Sequence, residues 1–265
     1  EALCFQHKTD LSEAKNVQVC GVGAPSSGLI AMGQIFGILS AQTRQGDEWM
    51  GTDWLHNYNE AARLAFADRA QYVGDPAFVA APGKDWSSML QPAYLQQRAS
   101  LVSSRRMADA PAGKPGTTTV GYAPMADQPE YGTSHISIVD GKGNALSMTT
   151  TIESGFGARI MVSPGPRGGF LLNNQLTDFS FAPTDANGTP VANRLQAGKR
   201  PRSSMNPVLV YASDEAGQRG PLLLSLGSPG GAGIIHYTSQ SLWGILHGGL
   251  DAQQAIQQRS EEHTS

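Results

Sequence analysis

Hydrophobic positions change character along the chain, from helical spacing in the first half to short β-like runs in the second. Residues up to Asn16 give no usable pattern, and Val17–Val22 then reads as a strand. Pro25 with Ser26 or Ser27 marks a helix start, and Leu29, Ile30, Met32, Ile35, Phe36 and Leu39 give that helix a broad apolar surface. A second helix over Trp54–Tyr72 is expected to be capped by Thr52 or Asp53 and ended by Gly74-Asp75-Pro76. Leu55, Tyr58, Ala62, Ala65 and Phe66 form its apolar stripe, with Glu60, Arg63 and Arg69 expected largely off it. Pro92–Ser100 is a short helix, whereas Ser103–Glu130, rich in Pro, Gly, Ala and Thr, reads as a mobile linker.

From Thr133 onward strands dominate. Tyr131–Thr151 is a hairpin in which Gly141-Lys142-Gly143-Asn144 makes the turn and Ile136, Ile138 and Val139 supply β-branched residues. Arg167–Leu172, Val208–Ala212 and Leu222–Leu226 suggest further strands, and Ile234–His247 a helix stopped by Gly248-Gly249. Helices early and strands late, with short connections, predict an α+β fold with mainly antiparallel sheets.

Composition narrows the functions available. The chain has 265 residues, 15% of them charged, 31 glycines and a net charge of −3, so no basic footprint for nucleic acid is present. No apolar run is long enough to span a membrane. The six histidines form no HExxH and do not cluster with cysteine, so neither a metal nor another cofactor is expected. Cys4 and Cys20 are either a pair or two buried thiols. The segment Arg259–Ser265, RSEEHTS, reads as an artefactual tail and is left out of the fold.

Four unusual blocks occur in order: YGTSHISIVDGKGNALSMTTT at 131–151, LLNNQLTDFSF at 171–181, GKRPRSSMNP at 198–207 and GSPGGAG at 227–233. Together they resemble the small subunit of gamma-glutamyltranspeptidases, N-terminal-nucleophile hydrolases that cleave their own precursor to expose a catalytic threonine. Pro-Ser-Ser-Gly at 25–28 and NEAARLAFADRAQYVGDPAFV at 59–79 resemble the family's large subunit. By itself the first is a helix N-cap, and the second reads as a packing helix with no catalytic role. The resemblance implies a four-layer α/β/β/α sandwich, incomplete at both ends. Residues 1–132 would be the C-terminal part of the large subunit, with the linker at about 103–132, and 133–258 a truncated small catalytic subunit.

The same resemblance assigns roles residue by residue. Cleavage of Gly132–Thr133 would free the Thr133 α-amine, whose ordinary pKa of about 7.7–8.0 lets it activate its own hydroxyl. Thr151 matches the threonine that hydrogen-bonds the nucleophile. Gln175 and Asp178 match the receivers of the substrate α-ammonium, a task suited to acceptor oxygens. Ser203 and Ser204 match the binders of the α-carboxylate, and Lys199, Arg200 and Arg202 add positive potential beside them. Gly230 and Gly231 match the oxyanion hole ahead of a helix. Glu153 stands where family members often carry asparagine near the ammonium. His135 lies on the same strand face as Thr133 and is read as structural.

These matches imply acyl transfer from a γ-glutamyl amide such as glutathione to water or an acceptor amine, in a periplasmic or secreted protein. The arginine that pairs with the glutamyl carboxylate would lie upstream of Glu1, so this piece alone is expected to be inactive. Three rivals are weighed: a glutaryl or cephalosporin acylase of the same fold, a non-catalytic homologue acting as a binding module, and a Gly-rich nucleotide binder. Gln175 and Asp178 count against the first, and Thr133, Thr151 and both glycines against the second. The third lacks a phosphate-cradling lysine.

Overall fold

The computed structural model describes residues 2–42, 48–116, 121–130, 132–163, 165 and 168–257; the tail expected to be artefactual lies outside them. Strands β1 (Ala2–Lys8) and β2 (Asn16–Val22) open the chain. Helices α1 (Gly28–Gln42), α2 (Thr52–Tyr72) and α3 (Pro92–Ala99) follow. The second half holds the hairpin β3 (Ser134–Val139) and β4 (Ala145–Thr150), then β5 (Met161–Val162) and β6 (Phe170–Leu171). It ends with β7 (Val208–Ser213), β8 (Arg219–Leu226), α4 (Gly233–Leu246) and α5 (Ala252–Gln257).

The two halves are not segregated into helices and strands. One antiparallel sheet of order β1-β2-β7-β8 joins them, with Val19 opposite Val210 and Val17 opposite Ala212. Alternation places Val17, Val19, Val208 and Val210 on one fully buried face, where they pack with α1. Helix α1 is apolar almost all round, as befits a helix with neighbours on every side. Leu29, Met32, Ile35, Phe36, Ile38 and Leu39 are all fully enclosed, each such burial being worth about 1.5–3 kcal/mol. Cys4 and Cys20 face each other across β1 and β2 and form a disulfide.

Helix α2 differs from its expected form at both its start and its polar face. Gly51 occupies the cap position without a side-chain cap bond, and Thr52 and Asp53 lie within the first turn. Glu60, Asp68 and Arg69 are buried instead of facing solvent. Each is buried because it has partners. Glu60 accepts from Arg63 (2.9 Å) and from the Met107 N–H (2.8 Å). Asp68 accepts from Gln34, Tyr94 and the Gly113 N–H, and pairs with Arg98 at 3.2 Å. Through Met107, Gly113 and Met125, whose N–H donates to the Ala70 carbonyl (3.0 Å), the segment read as a linker is tied to α2.

Hairpin β3–β4 forms a separate sheet that meets β8 through serines. The Ser147 hydroxyl donates to the Leu226 carbonyl (3.0 Å), and the Ser137 hydroxyl to the Ser225 carbonyl (3.2 Å). Its turn is held by Asp140, which accepts from the N–H groups of Lys142 and Asn144. Ile138, Val139 and Leu146 remain exposed on the hairpin.

Candidate active site

The site lies where the start of β3, the end of β4, a 3-10 turn at Gln175–Asp178, the 198–207 segment and the glycine loop before α4 converge. Thr133 is half-buried, one residue ahead of β3, with Gly132 before it. Antiparallel pairing sets Ser134 opposite Thr150, which carries Thr151 back beside Gly132. There the Thr151 hydroxyl donates to the Gly132 carbonyl oxygen and accepts from the Glu153 N–H (2.8 Å). One backbone amide thus orients the hydroxyl that contacts the carbonyl preceding Thr133.

His135 does not point at this carbonyl. Its Nδ1 lies 2.9 Å from Thr149 Oγ1 and its Nε2 3.0 Å from Ser137 Oγ. Burial holds its pKa below the ordinary histidine value. Both ring nitrogens are committed to the hairpin.

Glu153 turns with φ +72°, a left-handed conformation that non-glycine residues seldom adopt, and its side chain is almost fully buried. It is hydrogen-bonded to Asp178, so two carboxyl groups share one pocket. Burial, and next the charge of Glu153, push the Asp178 carboxyl up to about 8. Two adjacent carboxylates cannot both ionise cheaply, and the pair keeps a proton near neutrality. Gln175 opens the same turn, its N–H donating to Asn173 Oδ1 (3.0 Å), while the Asp178 carbonyl accepts from Asn193 (2.7 Å).

The basic segment is no solvated turn. Lys199 is buried and donates to the Ala192 carbonyl (2.6 Å). Burial and then the charge of Arg194 lower its pKa to about 8. Arg200 turns outward to Asp75 (2.8 Å), which it holds well below the usual carboxylate range. Of the three, Arg202 alone faces the site. The Ser203 hydroxyl accepts from the Met205 N–H (3.1 Å), whereas the buried Ser204 hydroxyl donates to Glu130.

Ser26 and Ser27 are not side-chain caps of α1. Their hydroxyls cross to the 203–205 backbone, Ser26 donating to the Met205 carbonyl (2.5 Å) and Ser27 to that of Ser203 (2.8 Å). Behind them, Arg69 of α2 donates to Ser27 Oγ (2.8 Å), to Ser204 Oγ and to Glu130 Oε1 (2.9 Å). Sequence reasoning missed both Arg69 and Glu130. Arg69 follows Tyr58, Ala62 and Ala65 at helical spacing, so a charge on the apolar stripe was the available signal.

Gly230 (φ +124°) and Gly231 (φ +55°) both occupy backbone conformations that disfavour side chains, immediately before α4. A Cβ on Gly231 would meet the Glu130 carbonyl oxygen at 2.3 Å, and one on Gly230 the Tyr237 ring at 2.7 Å. The segment preceding Thr133 therefore lies directly on the glycine loop.

A model of the gamma-glutamyltranspeptidase family matches residues 7–264. The chain belongs to this family. Among curated relatives of this transpeptidase-family chain, a glutathione hydrolase proenzyme of Bacillus subtilis is 35% identical over 91% of the chain and 39% of its own length. An acylase ACY 1 proenzyme of a Pseudomonas species is 28% identical over 92% of the chain and 38% of its own length. The cephalosporin acylase of Bacillus halodurans superposes with a TM-score of 0.72 at 21% identity, over 97% of the chain and 39% of that structure. That likeness shows a shared fold, of the α+β class expected from the sequence. The chain thus spans about 39% of the length of the relatives it matches. No described helix is long and apolar enough to cross a membrane.

Proposed function

We propose that the complete protein cleaves itself between Gly132 and Thr133 and then uses Thr133 as an N-terminal nucleophile for γ-glutamyl transfer and hydrolysis. The observation that carries this reading is the contact between the Thr151 hydroxyl and the Gly132 carbonyl. Attack by the Thr133 hydroxyl on that carbonyl would break the Gly132–Thr133 bond after an N-to-O acyl shift and hydrolysis of the ester. The products are a new carboxylate on Gly132 and a free amine on Thr133. That amine then takes the hydroxyl proton as Thr133 attacks the γ-carbonyl of a glutathione-like amide. The Gly230 and Gly231 amides stabilise the oxyanion, the leaving amine departs, and water or an acceptor amine releases the glutamyl group.

Support for a γ-glutamyl substrate comes from the acidic pocket of Glu153 and Asp178, with Gln175 on the same turn, which suits an α-ammonium. Ser203 and Ser204 would receive the α-carboxylate. The cross-strand disulfide fits the periplasmic or secreted location inferred from the family, since such bonds persist in oxidising compartments.

The acylase relative keeps a second reading open, in which the acyl group is glutaryl and carries no ammonium. Paired γ-glutamyl and glutaryl anilides separate the two in the full-length protein. Asp178→Asn should raise KM for the γ-glutamyl substrate and spare the glutaryl one. Equal losses on both would favour the acylase.

A further inference from the structure

Glu130, three residues before Thr133, sends its carboxylate into a cationic recess. Its Oε1 lies 2.9 Å from Arg69 Nη2 and 3.8 Å from Arg202 Nη2, and its Oε2 accepts the Ser204 hydroxyl. Its backbone carbonyl rests at the same time against Gly231. Glu130 thus reaches across the two elements to which the reading above assigns the substrate's α-carboxylate and its reacting carbonyl.

We propose that Arg69, Ser204 and Arg202 form a carboxylate cradle that Glu130 fills in the uncleaved chain. In this arrangement Glu130 positions the Gly132–Thr133 bond for cleavage, and a free carboxylate ligand replaces it afterwards. The assignment rests on Gly132–Thr133 being the bond that breaks.

The cradle is built from behind, independently of Glu130. Arg69 is fixed by Ser27 Oγ (2.8 Å), which is itself bonded to the Ser203 carbonyl, and its guanidinium lies 5.3 Å from the centre of the Phe66 ring. Arg202 is held by its own N–H on Asn193 Oδ1 (2.8 Å) and by Nη1 on the Arg69 carbonyl (3.4 Å). Its buried Nε has no hydrogen-bond partner among the described residues. Burial would raise the Glu130 carboxyl, but the Arg69 charge, the Ser204 hydroxyl and Arg202 together hold it below its ordinary value.

One carboxylate therefore meets two buried guanidiniums. Removing it leaves the two guanidiniums with only the charges of Asp178 and Asp127 beside Arg202, a costly state that a carboxylate from solution relieves. Arg69 becomes a cation for the substrate carboxylate supplied from within this chain. Its bidentate-capable fork suits that anion better than a lysine would.

The test uses the full-length protein carrying Thr133→Ala, titrated calorimetrically with glutarate and with L-glutamate. With Glu130 present, binding should be weak. Adding the isosteric Glu130→Gln should tighten both ligands by about tenfold or more, and Arg69→Met should abolish that gain. In protein that retains Thr133, Glu130→Ala should slow self-cleavage at least about tenfold, with acetate in the buffer restoring part of the rate, which a purely structural role would not allow. Unchanged ligand binding on Glu130→Gln, or self-cleavage of Glu130→Ala at the parental rate, overturns the proposal. Cleavage at another bond would refute the processing reading, while the titration still decides whether the cradle exists.

Discussion

The hydroxyl of Thr151 donates to the carbonyl oxygen of Gly132, on the residue just before Thr133. A donor there is already aimed where negative charge develops if Thr133 attacks that carbonyl. The Glu153 N–H, 2.8 Å from the same hydroxyl oxygen, prevents the donor from turning away. Thr151 would then act first on the scissile carbonyl and later on the nucleophile.

Thr151→Ala should therefore slow self-cleavage by about 10²–10³, the usual cost of losing one oxyanion donor. Thr151→Ser should cleave at a rate near the parent's. Time courses of precursor and product chains on denaturing gels read both rates directly.

The Glu153–Asp178 pair predicts a pH dependence with a definite sign. Asp178 is pushed up to about 8 by burial and then by Glu153, so below that pH the pair retains a proton. A substrate ammonium gains most when both carboxyls are ionised. KM for a γ-glutamyl anilide should fall as pH rises through about 8, while KM for a glutaryl anilide should not fall. The same shift raises a folded-state pKa above its unfolded value of about 3.9. Its stabilising contribution is complete below that value and is lost as pH rises toward 8. Glu153→Asn should move the KM transition to lower pH and raise the Tm measured at pH 9.

Gly230 and Gly231 should fail differently when given a side chain. Gly231→Ala brings a Cβ to 2.3 Å from the Glu130 carbonyl, a clash that exists while the segment before Thr133 is in place. Self-cleavage should therefore suffer most. Gly230→Ala meets the Tyr237 ring at 2.7 Å, which tilts the loop against α4 and should lower kcat by about 10²–10³ with little change in KM. Single-turnover acylation of the processed enzymes, set beside precursor cleavage rates, separates the two.

Much of the fold could be read from local pattern, and the reasons are specific. The β3–β4 hairpin shows because Ile136, Ile138 and Val139 sit beside a Gly-Lys-Gly-Asn turn, and α4 because a glycine pair stops it. Strand β1, Ala2–Lys8, was missed because no turn residues frame it; it is a strand because β2 pairs with it residue for residue. Arg69 and Glu60 break the rule that charges leave the apolar stripe, since their partners come from distant segments. Glu130 and Ser204 stand 74 residues apart, and no spacing announces their contact. Ser27 resembles a cap in sequence but is recruited by the Ser203 backbone, a tertiary bond that local propensity cannot foresee.

Self-processing as proposed would make Thr133 the first residue of a separate chain. Intact-mass analysis with N-terminal sequencing of the full-length protein, alongside its Thr133→Ala variant, tests it most directly. Two tightly associated chains are expected, the smaller beginning Thr-Ser-His-Ile, and a single uncleaved chain for Thr133→Ala. A small chain with any other first residue, or cleavage that persists in Thr133→Ala, would contradict it.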